Sequence, residues 1–368
     1  MNRLILLLAL AACACDRLPI GFDQLERVPA AASTTLFPDS LDSYVKYVPL
    51  GSAADMLLGR DEWFESRALF RFNLSDSALD SVLSVQLVLF PRDSTPMGFV
   101  CRPCSTAWSG AAANWRMADS STQWLEPGGD YWQLTLCQDT FRGDSLVLEL
   151  NRSYLDTLVR HSWGVFLFPL DTGFVRVASS SDSRRLPRLI LTYHGGIKRT
   201  YNSIDDTHIM DTLRLRANPG DLLVGSGVAC RTWLRFNIDS IPTEATIARA
   251  ELRFRPRVLY RRSDTLPVGA RRLTESYAVK GRNAAMHNAS SGYMLYTPGD
   301  SSPEVRIDVH SLIQDWKTRP DSVMNHGLVV VAEPEYTHLF RLRLPRTGSD
   351  APRLEIDYVL PPKDRLAR

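Results

Sequence analysis

Six cysteines divide into Cys13 and Cys15, which close an apolar leader, and four in the body of the chain at 101, 104, 137 and 230. Cys101-Arg102-Pro103-Cys104 has the spacing of a metal knuckle, but no second such pair follows, so a four-ligand zinc site lacks its other half. A chain that carries an export leader meets an oxidising compartment, where the same thiols favour a disulfide. Cys137 is the distant partner for either Cys101 or Cys104, and that bridge would close a loop of roughly 35 residues, worth about 4 kcal/mol in the chain-entropy treatment. One thiol of the three is then left over. Cys230 is either its partner or a buried thiol at the entry to a strand.

The other chemistry-bearing residues do not assemble. Histidines at 161, 194, 208, 287, 310, 326 and 338 are scattered, without His-x-His or His-Glu-x-x-His spacing. Gly225-Ser226-Gly227 lacks the Gly-x-Ser-x-Gly frame of a nucleophile elbow and reads as a turn. Asp205-Asp206 and Asp61-Glu62 could hold calcium, but no loop pattern surrounds them, and solvated turn residues are the plainer reading. No other cofactor is implied, and the expectation is a noncatalytic chain. Aromatic residues remain. Trp108, Trp115, Trp124, Tyr131 and Trp132 crowd one polar, glycine-containing connection. Exposed rings stack on the apolar faces of sugars, which makes Trp108, Trp115 and Trp124 the candidate ligand contacts. The competing reading is packing beneath a long connection, since tryptophan is usually largely buried. Exposure of the three rings in one concave patch would favour glycan binding, and their full burial a structural role.

The elements that must carry these residues are strands. In residues 67–74, Ala68, Phe70, Phe72 and Leu74 alternate with Arg67, Arg71 and Asn73, and in residues 231–238 Thr232, Leu234, Phe236 and Ile238 alternate with Arg231, Arg235 and Asn237. Period-two alternation marks a strand with one face on a core. Further strands are expected at 84–90, 132–137, 146–150, 163–168 and 189–193, then at 248–255, 305–309, 340–344 and 353–358. His310 continues the outward face of Arg306 and Asp308, and only residues 154–159 suggest a turn of helix. The segment Pro187-Arg188-Leu189-Ile190-Leu191-Thr192-Tyr193 returns 165 positions later as Pro352-Arg353-Leu354-Glu355-Ile356-Asp357-Tyr358, and Arg71 returns 164 positions later as Arg235. So steady an offset over a whole domain means duplication. Charged outer faces over shared apolar cores require antiparallel sheets, hence an all-β chain of two tandem, jelly-roll-like β-sandwich domains. The arginines at 253, 255, 257, 341 and 343 read as a solvated face that protects sheet edges, paired with Glu251, Glu355 and Asp357, in preference to a surface for an acidic polymer.

Met1 to Cys15 is a secretory signal, too short to span a bilayer as a mature helix. Leu10-Ala11-Ala12-Cys13 resembles the bacterial lipobox, which makes Cys13 the lipidated residue and the membrane a partner through its acyl chains; cleavage after Ala14 is the alternative, with Cys15 a fallback lipid site. The expected division is a signal over 1–13, a tether over 14–38, sandwiches over 39–195 and 205–361 joined by a linker over 196–204 with Gly195-Gly196 at the boundary, and a tail over 362–368. A net charge of +2 carries no basic excess, so nucleic acid is not an expected partner.

Together these segments resemble the DNRLRE-domain family, bacterial secreted β-sandwiches related to carbohydrate-binding modules. The resemblance covers nearly the whole mature chain twice. It rests on Asp42-Ser43-Tyr44-Val45, on Leu58-Gly59 and Leu223-Val224-Gly225 before the two alternating strands, on the Pro-Arg-Leu closing strands, and on 308–316 followed by Asn325-His326-Gly327-Leu328. The family's Trp-x-Glu segment with a second tryptophan seven residues after the first is incomplete here: Trp108 and Trp115 keep the spacing but Gly110 replaces Glu, and Glu275 lacks both tryptophans, with Leu273 and Lys280 in their places. The resemblance implies a noncatalytic surface or periplasmic module; with the lipobox, the expectation is a protein lipid-anchored in the bacterial cell envelope (outer membrane or periplasmic face) that holds a polysaccharide. The alternative is a structural or protein-interaction lipoprotein with no glycan ligand.

Overall fold

The computed structural model describes residues 31–74, 79–214, 220–299, 304–336 and 338–361. Cys13, Cys15, the first part of the tether and the tail over 362–368 lie outside them.

The chain is all-β, two antiparallel β-sandwiches in tandem. In the first, the larger sheet carries β3 (Asp55–Arg60), β4 (Phe64–Phe72), β6 (Met97–Pro103), β7 (Cys137–Phe141), β9 (Val165–Pro169) and β10 (Gly173–Ala178). The smaller carries β5 (Val82–Leu89), β8 (Leu146–Glu149) and β11 (Arg188–Tyr193). One long strand, β12 (Lys198–Thr212), serves both: its first part pairs with β11 and its second with β4, with a register shift at Ser203/Asp205 that throws Ile204 outward. Between the sheets lies the alternating set, with Ala68, Phe70, Phe72 and Leu74 all in one core with Leu87, Leu189 and Leu191.

The second sandwich repeats this plan. Its larger sheet holds β13 (Leu222–Gly225), β14 (Ala229–Arg235), β16 (Arg257–Arg261), β17 (Leu266–Arg272), β18 (Gly292–Tyr296), β20 (Leu328–Ala332) and β21 (Phe340–Leu344). Its smaller holds β15 (Thr246–Phe254), β19 (Val305–Asp308) and β22 (Arg353–Val359). Leu234, Phe236 and Ile238 join Leu252, Phe254, Ile307 and Leu342 in its core. Outward, Arg253 lies between Glu251 and Glu355, Arg353 between Glu304 and Glu355, and Arg249 on Asp357, so this face is an ion-pair lattice that leaves the edge charged. Arg341 departs from that reading. It is buried, and donates to the carbonyls of Ser226, Phe340 and Val228.

The expected division does not match the strand pairing. Residues 31–36 are not tether: they form β1 (Ala31–Leu36), which pairs with β22. β2 (Ser40–Lys46) then pairs with β14 along seven residues, from Ser40↔Arg235 to Lys46↔Ala229. The opening strands of the chain thus complete the second sandwich, while β12, expected as linker and start of that sandwich, completes the first. Gly195 and Gly196, both at positive φ, turn the chain inside one sheet, from β11 straight back along β12. The physical reason is proximity: β12 follows β11 by one tight turn and captures its edge, so β22 is left for the N-terminal copy of the same strand.

Between the sandwiches Leu50, Phe64, Phe174 and Met210 pack on Val228 and Leu339. The Arg341 guanidinium lies 4.7 Å from the centre of the Phe64 ring, and Gly227, at φ +80°, lets Met210 approach where a Cβ would meet its sulfur.

Two elements differ from expectation. Residues 310–318 are a helix burying Leu312, Ile313 and Trp316, not a continuation of β19. Residues 132–136 are irregular, with β7 starting only at Cys137. The helix expected near 154–159 is present at Leu155–Arg160.

Candidate ligand-binding groove

The 104–131 connection folds down as a cap on the outer face of the larger first sheet. Arg67 and Arg71, the outward members of the alternating strand, hold it there. Arg67 donates to the Gly128 carbonyl at 2.7 Å with its guanidinium over Trp115, and Arg71 donates to the Trp108 carbonyl at 2.9 Å. Buried Asp130 pins the cap's own turn, accepting from the Thr106 hydroxyl and from the Leu125 and Glu126 amides. Under the cap a small second core gathers Leu69, Phe166 and Ile209 from the sheet with Cys104, Trp108, Trp115 and Trp124.

The three tryptophans proposed as ligand contacts are therefore brought together, but inward. Trp108 is 2% exposed, Trp115 7% and Trp124 5%. The indole of Trp108 donates to the Trp163 carbonyl at 2.9 Å and that of Trp124 to the Asn114 carbonyl at 2.8 Å. Their faces are packed against protein, which corrects the expectation of an exposed platform. The reason is the sheet's outer face: Leu69, Phe166 and Ile209 present an apolar surface there that must be covered. Gly110 donates its amide to Asp205, and a Cβ there would collide with that carboxylate.

The exposed indoles belong to Trp132 and Trp163, at 44% and 48%. They are adjacent through their anchors. The amide of Trp132 donates to Pro103, that of Trp163 to Cys104, and the Trp132 indole to the His161 carbonyl at 2.9 Å. Gly164, at φ +104°, brings this segment against β4, where a Cβ would strike the Phe70 carbonyl. Trp163 thus sits on a backbone fixed by Cys104, Trp108 and the glycine. Beside it runs a groove of 460 Å³, lined by Arg71, Leu158, Arg160, His161, Trp163 and Ile204 among others. Arg71 is tied to Asp205 at 2.9 Å, while Arg160 pairs with Asp156 on the rim. Trp132 stood in the aromatic group the sequence singled out. Trp163 did not, because it opens an expected strand and nothing local distinguishes an inward from an outward ring at a strand's first residue.

Of the disulfide candidates, Cys101 and Cys137 are brought together as direct cross-strand partners on β6 and β7. Burial first, and the neighbouring Cys137 thiol second, push the Cys101 thiol well up. Cys104 is taken elsewhere, under the cap beside the Thr106 carbonyl, with its thiol pushed up to about 12 by burial. Cys230 is buried at the entry to β14, the second of its two expected settings. The carboxylates weighed for calcium carry structural bonds: Asp61 caps the Trp63 and Phe64 amides and accepts from Tyr260, Asp205 holds Arg71, and Asp206 accepts the Ser180 amide. Among the described residues no three His, Cys, Asp or Glu side chains lie together as metal ligands would.

No family model and no curated protein matches the chain, so the DNRLRE resemblance rests on its quoted residues alone. Among solved structures, the chain is similar at 10% identity and a TM-score of 0.15 to the N-terminal tandem CBM22-1–CBM22-2 domains of Xyn10C from Paenibacillus barcinonensis, over 90% of this chain and 92% of that one. At that TM-score the likeness carries no argument.

Proposed function

We propose that this chain is an exported, lipid-anchored, noncatalytic protein of a bacterial cell envelope that holds a polysaccharide against the Trp163 groove and the exposed Trp132 ring anchored beside it. The observation that carries the reading is a pair of half-exposed indoles with fixed anchors: Trp163 on a backbone held by Cys104, Trp108 and Gly164, and Trp132 held by its amide on Pro103 and its indole on His161. A sugar ring stacking on each gains about 0.5–1.5 kcal/mol, by analogy with aromatic pairs, with little ordering cost because the rings are already placed. Arg160 and His161 supply hydrogen-bonding groups beside the rings. The DNRLRE resemblance points the same way, and the Leu10–Cys13 lipobox supplies the anchor. Retardation of the mature protein in gels containing soluble polysaccharides tests the ligand: Trp163→Ala should weaken the retardation that the parent shows by roughly two- to tenfold. Fractionation of a Cys13→Ser variant tests the anchor, since a processed variant that stays with membrane contradicts it.

A second reading, a structural or protein-interaction lipoprotein, is favoured by the burial of Trp108, Trp115 and Trp124 and by the exchange of opening strands, which links the two sandwiches through the β2–β3 and β12–β13 connections. It predicts no retardation by any glycan and no effect of Trp163→Ala.

A further inference from the structure

We propose that the cleft between the two sandwiches is a second binding site, for a small sugar acid that offers one carboxylate and several hydroxyls. The cleft measures 760 Å³ and draws its walls from both sandwiches, with Asp55, Arg92, Phe174 and Arg176 on one side and Arg262 and His338 on the other. Neither repeat could build it alone. It lies apart from the Trp163 groove and shares no lining residue with it.

Three guanidinium groups line the cleft, and two are neutralised. Arg92 lies between Asp55 and Asp182, and Arg176 chelates Asp93, with 2.8 Å between its Nη2 and the carboxylate. Arg262 differs. It stacks 4.5 Å from the centre of the Phe174 ring and has no carboxylate within ion-pair distance among the described residues. Stacking on a ring occupies one face of a guanidinium and leaves its edge of N–H donors free to take a planar oxyanion two-pronged. Asp93 registers the surplus charge: burial pushes its carboxyl up, but the bonds from Arg176 and the charges of Arg176 and Arg262 more than offset this and hold it low.

The rest of the lining suits hydroxyls. Ser94, Thr95, Ser263 and Tyr336 offer hydroxyl groups, and His338, at φ +52°, presents a ring nitrogen 3.3 Å from the Ser263 hydroxyl. His208, on β12, also lines the cleft. It is 2% exposed, and its Nδ1 is buried with no hydrogen-bond partner. An unpaired buried nitrogen costs about 1–3 kcal/mol and is a standing reason to admit a polar guest. A bare phosphate accepts from these hydroxyls but offers few donors of its own, whereas the cleft also carries the Asp55 and Asp93 carboxylates, which accept from sugar hydroxyls and repel a multiply charged anion, so the lining selects a sugar acid over phosphate.

Titration of the mature protein with D-galacturonate, D-galactose and inorganic phosphate, followed by isothermal calorimetry, tests this. Galacturonate should bind, galactose and phosphate should bind at least about tenfold more weakly, and Arg262→Gln should weaken galacturonate by about tenfold or more. Arg262 is exposed and its replacement leaves the fold standing, while Trp163→Ala should leave galacturonate binding unchanged. Absence of galacturonate binding, an equal affinity for galactose or phosphate, or an unaltered Arg262→Gln affinity overturns the proposal. Loss of binding in Trp163→Ala alone would move the ligand to the groove and overturns it equally.

Discussion

Replacing Trp108 by alanine separates the two roles a tryptophan can play in this cap. In the structure its ring is 2% exposed and packed among Leu69, Trp115 and Phe166, and its indole donates to the Trp163 carbonyl at 2.9 Å. Truncating a buried aromatic ring costs roughly 3–5 kcal/mol, the spread depending on how far the cap collapses into the space. The Trp163 carbonyl then loses its donor, which adds about 1 kcal/mol. Urea denaturation of the mature protein should show a loss of about 4 kcal/mol for Trp108→Ala. Trp108→Phe should lose roughly 1–2 kcal/mol, since it keeps most of the ring and gives up the donor. A surface tryptophan would lose at most about 0.5 kcal/mol. A Trp108→Ala protein as stable as the parent would refute the cap's packing and restore Trp108 as a ligand contact. Because Trp108 holds the backbone of Trp163, the same variant should also weaken polysaccharide retention, and Trp108→Phe should weaken it less.

Other outcomes follow from the strand exchange and from buried ionisable groups. A fragment of residues 205–361, which contains every strand of the second repeat, should fail to unfold cooperatively because β22 and β14 lack β1 and β2; residues 214–361 joined to residues 31–46 by a flexible linker should recover a cooperative transition, and folding of the bare 205–361 fragment would contradict the pairing. Air or oxidised glutathione should link Cys101 to Cys137 and leave Cys104 and Cys230 free, with a gain of roughly 4 kcal/mol over the reduced protein; peptide mapping that finds Cys104 in the bridge contradicts the assignment. Asp206, pushed up to about 6 by burial, binds its proton more tightly folded than unfolded, so it adds stability as pH falls from about 6 toward 4. His208, pushed down to about 4 by burial, removes stability as pH falls from about 6.5 toward 4, because the unfolded chain takes up its proton first. The two windows oppose each other and nearly cancel. Asp206→Asn should therefore uncover a fall of about 3 kcal/mol between pH 6.5 and 4, and a profile as flat as the parent's would show that His208 titrates normally.

The strands were legible where alternation was clean. Ala68, Phe70 and Phe72 inside, with Arg67 and Arg71 outside, is a pattern only one strand orientation satisfies, and the same holds for Leu252 and Phe254 against Arg253. The repeat offset located equivalent strands but not their partners. β2 and the second half of β12 are the same element in two copies, and sequence alone cannot say which copy fills which sheet. That depends on the tight Gly195-Gly196 turn, read as a boundary when it is a hairpin. The helix at His310–Thr318 was missed because Val305, Ile307 and Val309 alternate right up to it, and Leu312, Ile313 and Trp316 then change period without a break. The tryptophans were misplaced for a similar reason. Composition marks the 104–131 connection as aromatic, but only the apolar outer face of Leu69, Phe166 and Ile209 beneath it decides that the rings turn in. Trp163 reads in sequence as the start of a strand, whereas β9 starts only at Val165 and Trp163 stands on the bend before it as a surface ring.

The central claim is that Trp132 and Trp163 form the polysaccharide contact. Affinity electrophoresis of the mature parent, Trp163→Ala and Trp132→Ala proteins across a panel of soluble neutral and acidic polysaccharides tests it most directly. The account predicts that at least one polysaccharide retards the parent, that each substitution weakens this by roughly two- to tenfold per lost stacking contact, and that urea stability changes by less than about 1 kcal/mol because both rings stand half in water. Retardation unchanged in both variants, or none of the parent by any polysaccharide, would contradict it.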